Sequence, residues 1–500
     1  MKQILLYTVL GVLCIFLSCL AINYDYDFFA RLIVGEQFIE HGILPYKDFL
    51  SYTPTHPWYD HEWGSGVVFY FVLKYFGSAG ILFLHAILMF GVAFFVIKIQ
   101  RLQRHSYPVS LVFMSIFLIL FAHLNPNLIR CQMFSFFFFS MFLFLLEHYR
   151  KYNSKLIWLI PPLVVVWNNL HGGVVSGLGI LFIYLIIAIF KKKNWQQLLY
   201  VFCISLPLLV INPYGIKYLA FLFSATTKNR KYIVEWWPFY AARHWLYYLL
   251  PSLYGIYASF VSIKKQLKLK KYDVVKILLL TITLFEGLAH VKLLSLTIIT
   301  AAALCYKEMS HAFLKYKTML KHVEKSLYAV IIMLGLSVPL FSPTYPRAAL
   351  YKFPLYEVEF LKINNIKGNI VVPFGFGSYV SYKLYPNNHI YMDGRYEEVY
   401  NDKEYEALRN YELAEQNWRD IYTKYDTDIL MTKKTVDIYE VLKKDKEWVH
   451  LFDGRQCGIF VKRDNVKKSY IEPKYNLEYY KQSMFEGFFG NNLRRKVNDQ

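Results

Sequence analysis

The stretch GVVSGLGILFIYLIIAIF, residues 173–190, contains no charged side chain and is followed at once by Lys191, Lys192 and Lys193. Roughly twenty apolar residues are what a helix needs to cross a hydrocarbon core about 30 Å thick. Runs of the same kind recur near residues 4–22, 79–97, 108–123, 131–146, 156–170, 197–211, 246–263, 274–291, 293–306 and 327–342. Together they predict about eleven spans, with residues 64–76 as a juxtamembrane helix or part of a twelfth. Composition agrees, because a 500-residue chain that is 56% hydrophobic and 18% charged is too apolar for an ordinary soluble domain. The first run follows Lys2 but lacks a clear small-x-small cleavage site, so it reads as a retained span rather than a signal peptide.

Lys191–Lys193 also orient the chain, since positive residues in short loops stay on the cytoplasmic side. Lys98, Arg101 and Arg104, then Arg150, Lys151 and Lys155, then Lys264–Lys271, then Lys307, Lys315, Lys317 and Lys321 fall in alternate loops with them. These loops are expected to be cytoplasmic, leaving the odd-numbered connections and the C-terminal region outside. The formal net charge of +20 follows from this topology: residues 345–463 hold eighteen Lys plus Arg against eighteen Asp plus Glu. Membrane lipids, not nucleic acid, are the partners that basic clusters beside spans imply. The six cysteines are scattered, with no disulfide framework or paired metal-ligand spacing.

On the opposite side of residues 173–190 lies Asn168-Asn169-Leu170-His171-Gly172-Gly173. The other outer connections carry Asp25, Asp27, Arg31, Asp48, Trp58, Asp60, His61, Glu62 and Trp63; Asn125 and Arg130; Asn212-Pro213-Tyr214-Gly215 with Glu235 and Trp236; and Glu286, His290 and Lys292. Polar groups near membrane depth are costly and mark functional sites, so their convergence from five connections predicts one outer cavity. Taken singly, the Asn-rich turns also read as helix caps and tight turns, and Trp58, Trp63, Trp236 and Trp237 as interfacial anchors. The first outer loop, residues 23–63, is longer and richer in carboxylates than a connection requires.

Past the last apolar run, residues 344–463 read as a small α/β domain on the extracytoplasmic side. Helices are expected at Tyr356–Ile363, Gly375–Leu384, Asp402–Leu413 and Val436–Lys443, and strands at Asn369–Val372, Ile390–Met392, Asp428–Met431, Trp448–Phe452 and Gly458–Val461. Phe374-Gly375-Phe376-Gly377-Ser378 fits neither the dinucleotide nor the P-loop spacing and reads as a strand-to-helix turn. Asp393-Gly394-Arg395 follows a strand and either binds a ligand or locks the domain to the membrane part. Residues 464–500 form a polar tail with a basic Asn491–Lys496 segment.

Asp27–Gly35, Pro45, Asp48, Ser51, Thr53, Trp58, His61, Glu62 and Trp63 resemble the first outer loop of bacterial GT-C-type membrane glycosyltransferases. The resemblance spans nearly the whole chain, through Trp167, Asn169, His171, Gly172, Gly173, Asn212–Gly215, Glu235-Trp236 and Asp393-Gly394-Arg395. It departs after the first Asp, where the family pattern commonly has two tryptophans and a His and this chain has Phe29, Ala30 and Arg31. It implies a polytopic α-helical GT-C-like fold, residues 1–343, in the bacterial cytoplasmic membrane. It also implies inverting transfer of a sugar from a polyprenyl-phosphate donor to a glycan, lipid or protein acceptor on the outer face.

Under that resemblance Asp27, just after the first span, stands where the family's catalytic base sits, with Asp25 as its rival. Asp48 and Glu62 are candidates for metal binding, acceptor contact or a second base; whether a divalent cation is needed is left open. Arg130 and Lys292 suit the developing phosphate charge, with snorkelling as the other explanation, and His171 and His290 are candidates beside them. Asp25, His61, Trp63, Asn169 and Glu235 are acceptor contacts or structural groups. A non-catalytic membrane assembly protein and a polyprenyl-linked lipid or glycan transporter are the competing classes; no inverted repeat supports the transporter.

Overall fold

Apolar runs in hydrocarbon have no water to bond and close their backbone hydrogen bonds within themselves, which makes helices of them. The computed structural model describes residues 2–20, 24–103, 107–125, 129–227, 230, 232–242, 244–313, 317–341, 352–467 and 469–473. The polar tail beyond residue 473 and the expected domain boundary at 344 lie outside the described residues. The chain divides into two compact units: Met1–Ile22 with Ala79–Pro346, and Asn23–Ser78 with Arg347–Gln500.

The first unit is helical. Lys2–Leu20, Tyr107–Leu124, Gln132–Tyr152, Ile160–Leu170, Val174–Phe190, Trp195–Leu208, Ile216–Thr227, Trp245–Leu269, Val274–Ala289, Leu294–Leu304 and Lys317–Phe341 are its longer elements. Among the described residues, four helices are by length and composition able to cross a membrane: Gln3–Leu20, Trp63–Leu102, Gln132–Tyr152 and Trp245–Leu269. The remaining apolar helices, Val174–Phe190 among them, are shorter. Small residues bring these helices together, as side-chain packing replaces the hydrophobic effect inside a bilayer. Thr297 lies against both Gly255 and Gly287 and donates its hydroxyl to the Thr283 carbonyl, and Gly177 admits the Trp167 ring. Helix Trp63–Leu102 is interrupted at Gly77 (φ 62°, ψ −164°), beside the point where the chain passes from one unit to the other.

The second unit is built on five strands: β1 Gly368–Val371, β2 Asn388–Ile390, β3 Ile429–Lys433, β4 Trp448–Asp453 and β5 Cys457–Lys462. Their order is β2-β1-β3-β5-β4, with β1 parallel to β2 and β3, and β5 antiparallel to β3 and β4. The parallel pairing needs a crossover, which helix Gly377–Leu384 supplies between β1 and β2. Ile370, Val371, Ile390, Leu430, Met431, Ile459 and Phe460 are buried in its core.

The loop of residues 23–63 is part of this unit rather than of the helical one. Ser51 bridges Ile390 in parallel; Ile390 N–H donates to the Leu50 carbonyl at 2.9 Å and Tyr52 N–H to the Ile390 carbonyl at 3.1 Å. His56 N–H donates to the Val399 carbonyl at 2.8 Å. Residues 50–56 thus satisfy the open edge of β2 and the segment after it, an edge that would otherwise present unpaired backbone groups.

Candidate functional site

Helix Phe28–His41 begins directly after Asp27 and buries its first eight residues, Arg31 included. A buried guanidinium needs carboxylates, and Arg31 has three. It bonds Asp60 and Glu398 through its terminal nitrogens, and its Nε lies 2.7 Å from Glu62 Oε2. His61 Nδ1 is 3.2 Å from Glu398 Oε1, and the Trp58 indole N–H donates to Glu398 Oε2 at 2.8 Å. Asp60 Oδ1 also accepts the Glu62 backbone N–H at 2.8 Å.

Burial raises Asp60 to about 6, aided by the negative charges of Glu398 and Glu62 and only partly countered by Arg31. Glu398 goes the other way, to about 2, because Arg31 and His61 outweigh its burial. Burial alone would depress His61, but Glu62 and Glu398 lift it to about 9, so the ring is an imidazolium at neutral pH. Opposite shifts in touching groups mark a cluster that shares its protons.

Asp60, His61 and Glu398 each place a ligand-type atom within 4.8 Å of the others, the spacing of a metal site. The donors do not fit a divalent cation as they stand. Arg31 already lies on two of them, and His61 would have to surrender its proton. The cluster is built around an arginine.

A second buried arginine stands a few residues before Glu398. Arg395 Nε donates to Asp393 at 2.9 and 3.0 Å, and its Nη1 donates to Asp48 Oδ1 at 2.7 Å. Its Nη2 donates to the Tyr400 hydroxyl at 3.2 Å and reaches Ser51 Oγ at 3.4 Å. Its guanidinium lies 4.4 Å from the Trp58 ring centre. Trp58 is wholly buried between the two clusters, stacked on Arg395 and hydrogen-bonded to Glu398. Trp58, for which an interfacial anchor was one reading, is therefore a core residue, and Arg395 ties the Asp393-Gly394-Arg395 segment to Asp48 within the same unit.

Asp27, half-buried at the head of its helix, makes no capping hydrogen bond to that helix. Its Oδ1 lies against the backbone of Gly394. Asp25 is buried and accepts the Tyr26 N–H at 2.7 Å. Trp63 packs its ring 5.5 Å from Phe38. Of the three candidate catalytic carboxylates, Asp48 and Glu62 are each engaged with a buried guanidinium.

The phosphate-side candidates belong to the helical unit. Glu235 Oε1 is 2.5 Å from Arg130, and Glu235 Oε2 is 4.0 Å from Lys292. Arg230 and Lys292 lie over the Trp236 ring at 4.1 and 5.5 Å, and His290 Nδ1 is 2.8 Å from the Trp236 carbonyl. Arg130, Glu235, His290 and Lys292 thus come together. His171 and Asn169 have different company. His171 Nδ1 accepts from Gly173 N–H at 2.9 Å and lies 2.7 Å from Ser135 Oγ, which itself accepts the Trp167 indole N–H at 2.7 Å. Nδ1 being an acceptor, the ring proton sits on Nε2. Asn169 donates to the carbonyls of Val165 and Ile211, both at 2.8 Å.

No family model and no curated protein matches the chain. Among solved structures, the fold is similar to that of the archaeal oligosaccharyltransferase AglB from Archaeoglobus fulgidus, solved in complex with an inhibitory peptide and a dolichol-phosphate. The TM-score is 0.58 at 10% identity, over 85% of this chain and 69% of that one.

Proposed function

We propose that the protein is a GT-C-type membrane glycosyltransferase that moves a sugar, with inversion, from a polyprenyl-phosphate carrier to a glycan, lipid or protein acceptor. The setting is the outer face of a bacterial cytoplasmic membrane. The observation that carries this reading is a fold shared over 85% of the chain with an enzyme that transfers oligosaccharide and was captured with a lipid phosphate.

Asp27 is assigned as the general base. It is half-buried directly ahead of helix Phe28–His41 and just after the first apolar run, where the resemblance to GT-C-type enzymes puts the base. The acceptor hydroxyl oxygen attacks the anomeric carbon from the face opposite the leaving group. Its proton passes to Asp27 as the bond from that carbon to the phosphate oxygen breaks, and the phosphate departs with the bonding pair. Within the helical unit, Arg130 and Lys292, which both approach the carboxylate of Glu235, are proposed as donors to the carrier's phosphate.

The test is transfer of radiolabelled sugar from a panel of undecaprenyl-phosphate sugars by the full-length protein in native lipid, with Asp27→Asn alongside. The proposal expects turnover by the wild type and a loss of at least about 1000-fold in the variant, within the range set by removing a general base. Carrier that binds and is never turned over by the wild type would instead make this an assembly or binding protein.

A further inference from the structure

Three motifs far apart in the chain meet beside Asp27. Gly394 lies so close to Asp27 Oδ1 that a Cβ at that position would run into the carboxylate. Gly377, from the Phe374–Ser378 turn, meets the same loop from the other side, where a Cβ would strike the Met392 carbonyl and the Asp393 side chain. Gly375 of that turn faces the ring of Tyr26, the residue before Asp27. The loop between these glycines is held at its ends by buried charge: Asp393 and Arg395 bond each other, and Arg395 bonds Asp48.

We infer that the Asp393-Gly394-Arg395 turn is the positioning element for Asp27, with Gly394 as the residue that fixes where the carboxylate sits. This rests on the reading of Asp27 as the base. A buried arginine fork bonded to two carboxylates fixes a backbone far more tightly than a surface loop is fixed, because both charges are uncompensated if it moves. The Gly394 backbone is then a rigid wall, and the Asp27 carboxylate rests on it. A displacement of about 1 Å at a catalytic group costs about 100-fold in rate without weakening substrate binding. The arrangement also accounts for two features the Arg395 ion pairs alone leave unexplained: a glycine in the middle of the turn, and a second glycine behind it.

The experiment compares two glycine-to-alanine variants, each of which pushes on a carboxylate of the same unit. Gly394→Ala pushes on Asp27. Gly454→Ala, in the same unit, pushes on the Glu357 carboxylate, which accepts the Gln456 and Cys457 N–H groups at 2.7 Å and takes no part in the proposed chemistry. Initial rates are measured with the labelled undecaprenyl-phosphate sugar that the wild type turns over, on full-length protein whose melting temperature is recorded. Gly394→Ala is expected to lower kcat by about 100-fold or more, with KM for the donor within about twofold of wild type and the acidic limb of the kcat–pH profile displaced. Gly454→Ala, even with a comparable fall in melting temperature, is expected to keep kcat within about threefold of wild type.

Wild-type kcat in a folded Gly394→Ala, with Asp27→Asn inactive, would overturn the positioning role and leave the base assignment standing. An active Asp27→Asn would remove the base assignment, and this inference with it. Equal losses in both glycine variants would reduce the turn to a structural element. If Gly394→Ala does not fold, Arg395→Lys takes its place: it keeps the charge but loses the fork that grips Asp393 and Asp48 together, and the same kcat–KM split decides the outcome.

Discussion

The two buried arginines of the second unit share Trp58 as a neighbour and differ in how their charge is balanced. Arg395 faces two carboxylates, Asp48 and Asp393, and neutral hydroxyls from Tyr400 and Ser51. Arg31 faces three carboxylates, with His61 as a second cation beside Glu398 and Glu62. Among the described residues no second cation pairs with Asp48 or Asp393. The Arg31 cluster has two members, Asp60 at about 6 and His61 at about 9, that exchange protons on either side of neutrality, whereas in the Arg395 cluster burial raises the Asp393 carboxyl against the pull of Arg395. The Arg31 cluster holds its geometry to an extent that pH sets.

The comparison breaks most sharply at Arg395. Arg395→Met strands two carboxylates whose side chains are fully buried, and an uncompensated buried charge costs about 3–5 kcal/mol. We expect a loss at the upper end, read as unfolding of the detergent-solubilised protein many degrees below wild type at pH 7.5. Arg31→Met leaves three carboxylates behind, yet we expect the smaller loss, about 2–3 kcal/mol. His61 remains as a cation, and Asp60, already lifted to about 6 with Arg31 present, takes up a proton once Arg31 is gone. A more damaging Arg31→Met would mean that His61 does not compensate, and the proposed contrast between the two clusters would fall.

Much of this fold is written in local pattern. The strand expected at Asp428–Met431 is β3, Ile429–Lys433, and the helix expected at Asp402–Leu413 runs Asp402–Glu412, because alternation of apolar residues and amphipathic spacing are properties of a few neighbouring positions. Asp48, Glu62 and His61 stood out as charges in a loop too long to be a mere connection. What they do there was not legible. Arg31 and Glu398 are 367 positions apart, and no local signal in a single sequence pairs them. The same blindness left an interfacial anchor as one reading of Trp58, since an isolated Trp near a span fits an aromatic belt unless its N–H partner is known. Arg31 stood in the sequence as one polar residue of that loop and as a departure from the family's pattern, and it turns out to be the centre of a cluster. The placement of residues 23–63 in the second unit has the same cause, resting on backbone pairing between residues 50–56 and residues 390–399.

The finest test of the contrast is a pH profile of stability. His61 is raised from its ordinary 6.5 to about 9. A raised pKa means that the folded state binds the proton more tightly, so the stabilisation is fully present below 6.5 and is lost as pH climbs through 9. At about 1.4 kcal/mol per unit, the wild type should lose roughly 2–3 kcal/mol between pH 6.5 and 10 from this group. Asp60 also binds its proton more tightly when folded, but its window, from 3.8 to about 6, closes before this range opens. Glu398, lowered to about 2 from 4.5, contributes stability that is lost only on acidification below 4.5. Between pH 6.5 and 10 the cluster's dependence therefore belongs to His61. His61→Gln should be less stable than wild type at pH 6.5 and converge on it by pH 10. Lysines and tyrosines elsewhere titrate equally in both proteins and cancel in the difference. A constant gap between His61→Gln and wild type would show that the ring is neutral throughout and that pH does not set the hold of the Arg31 cluster.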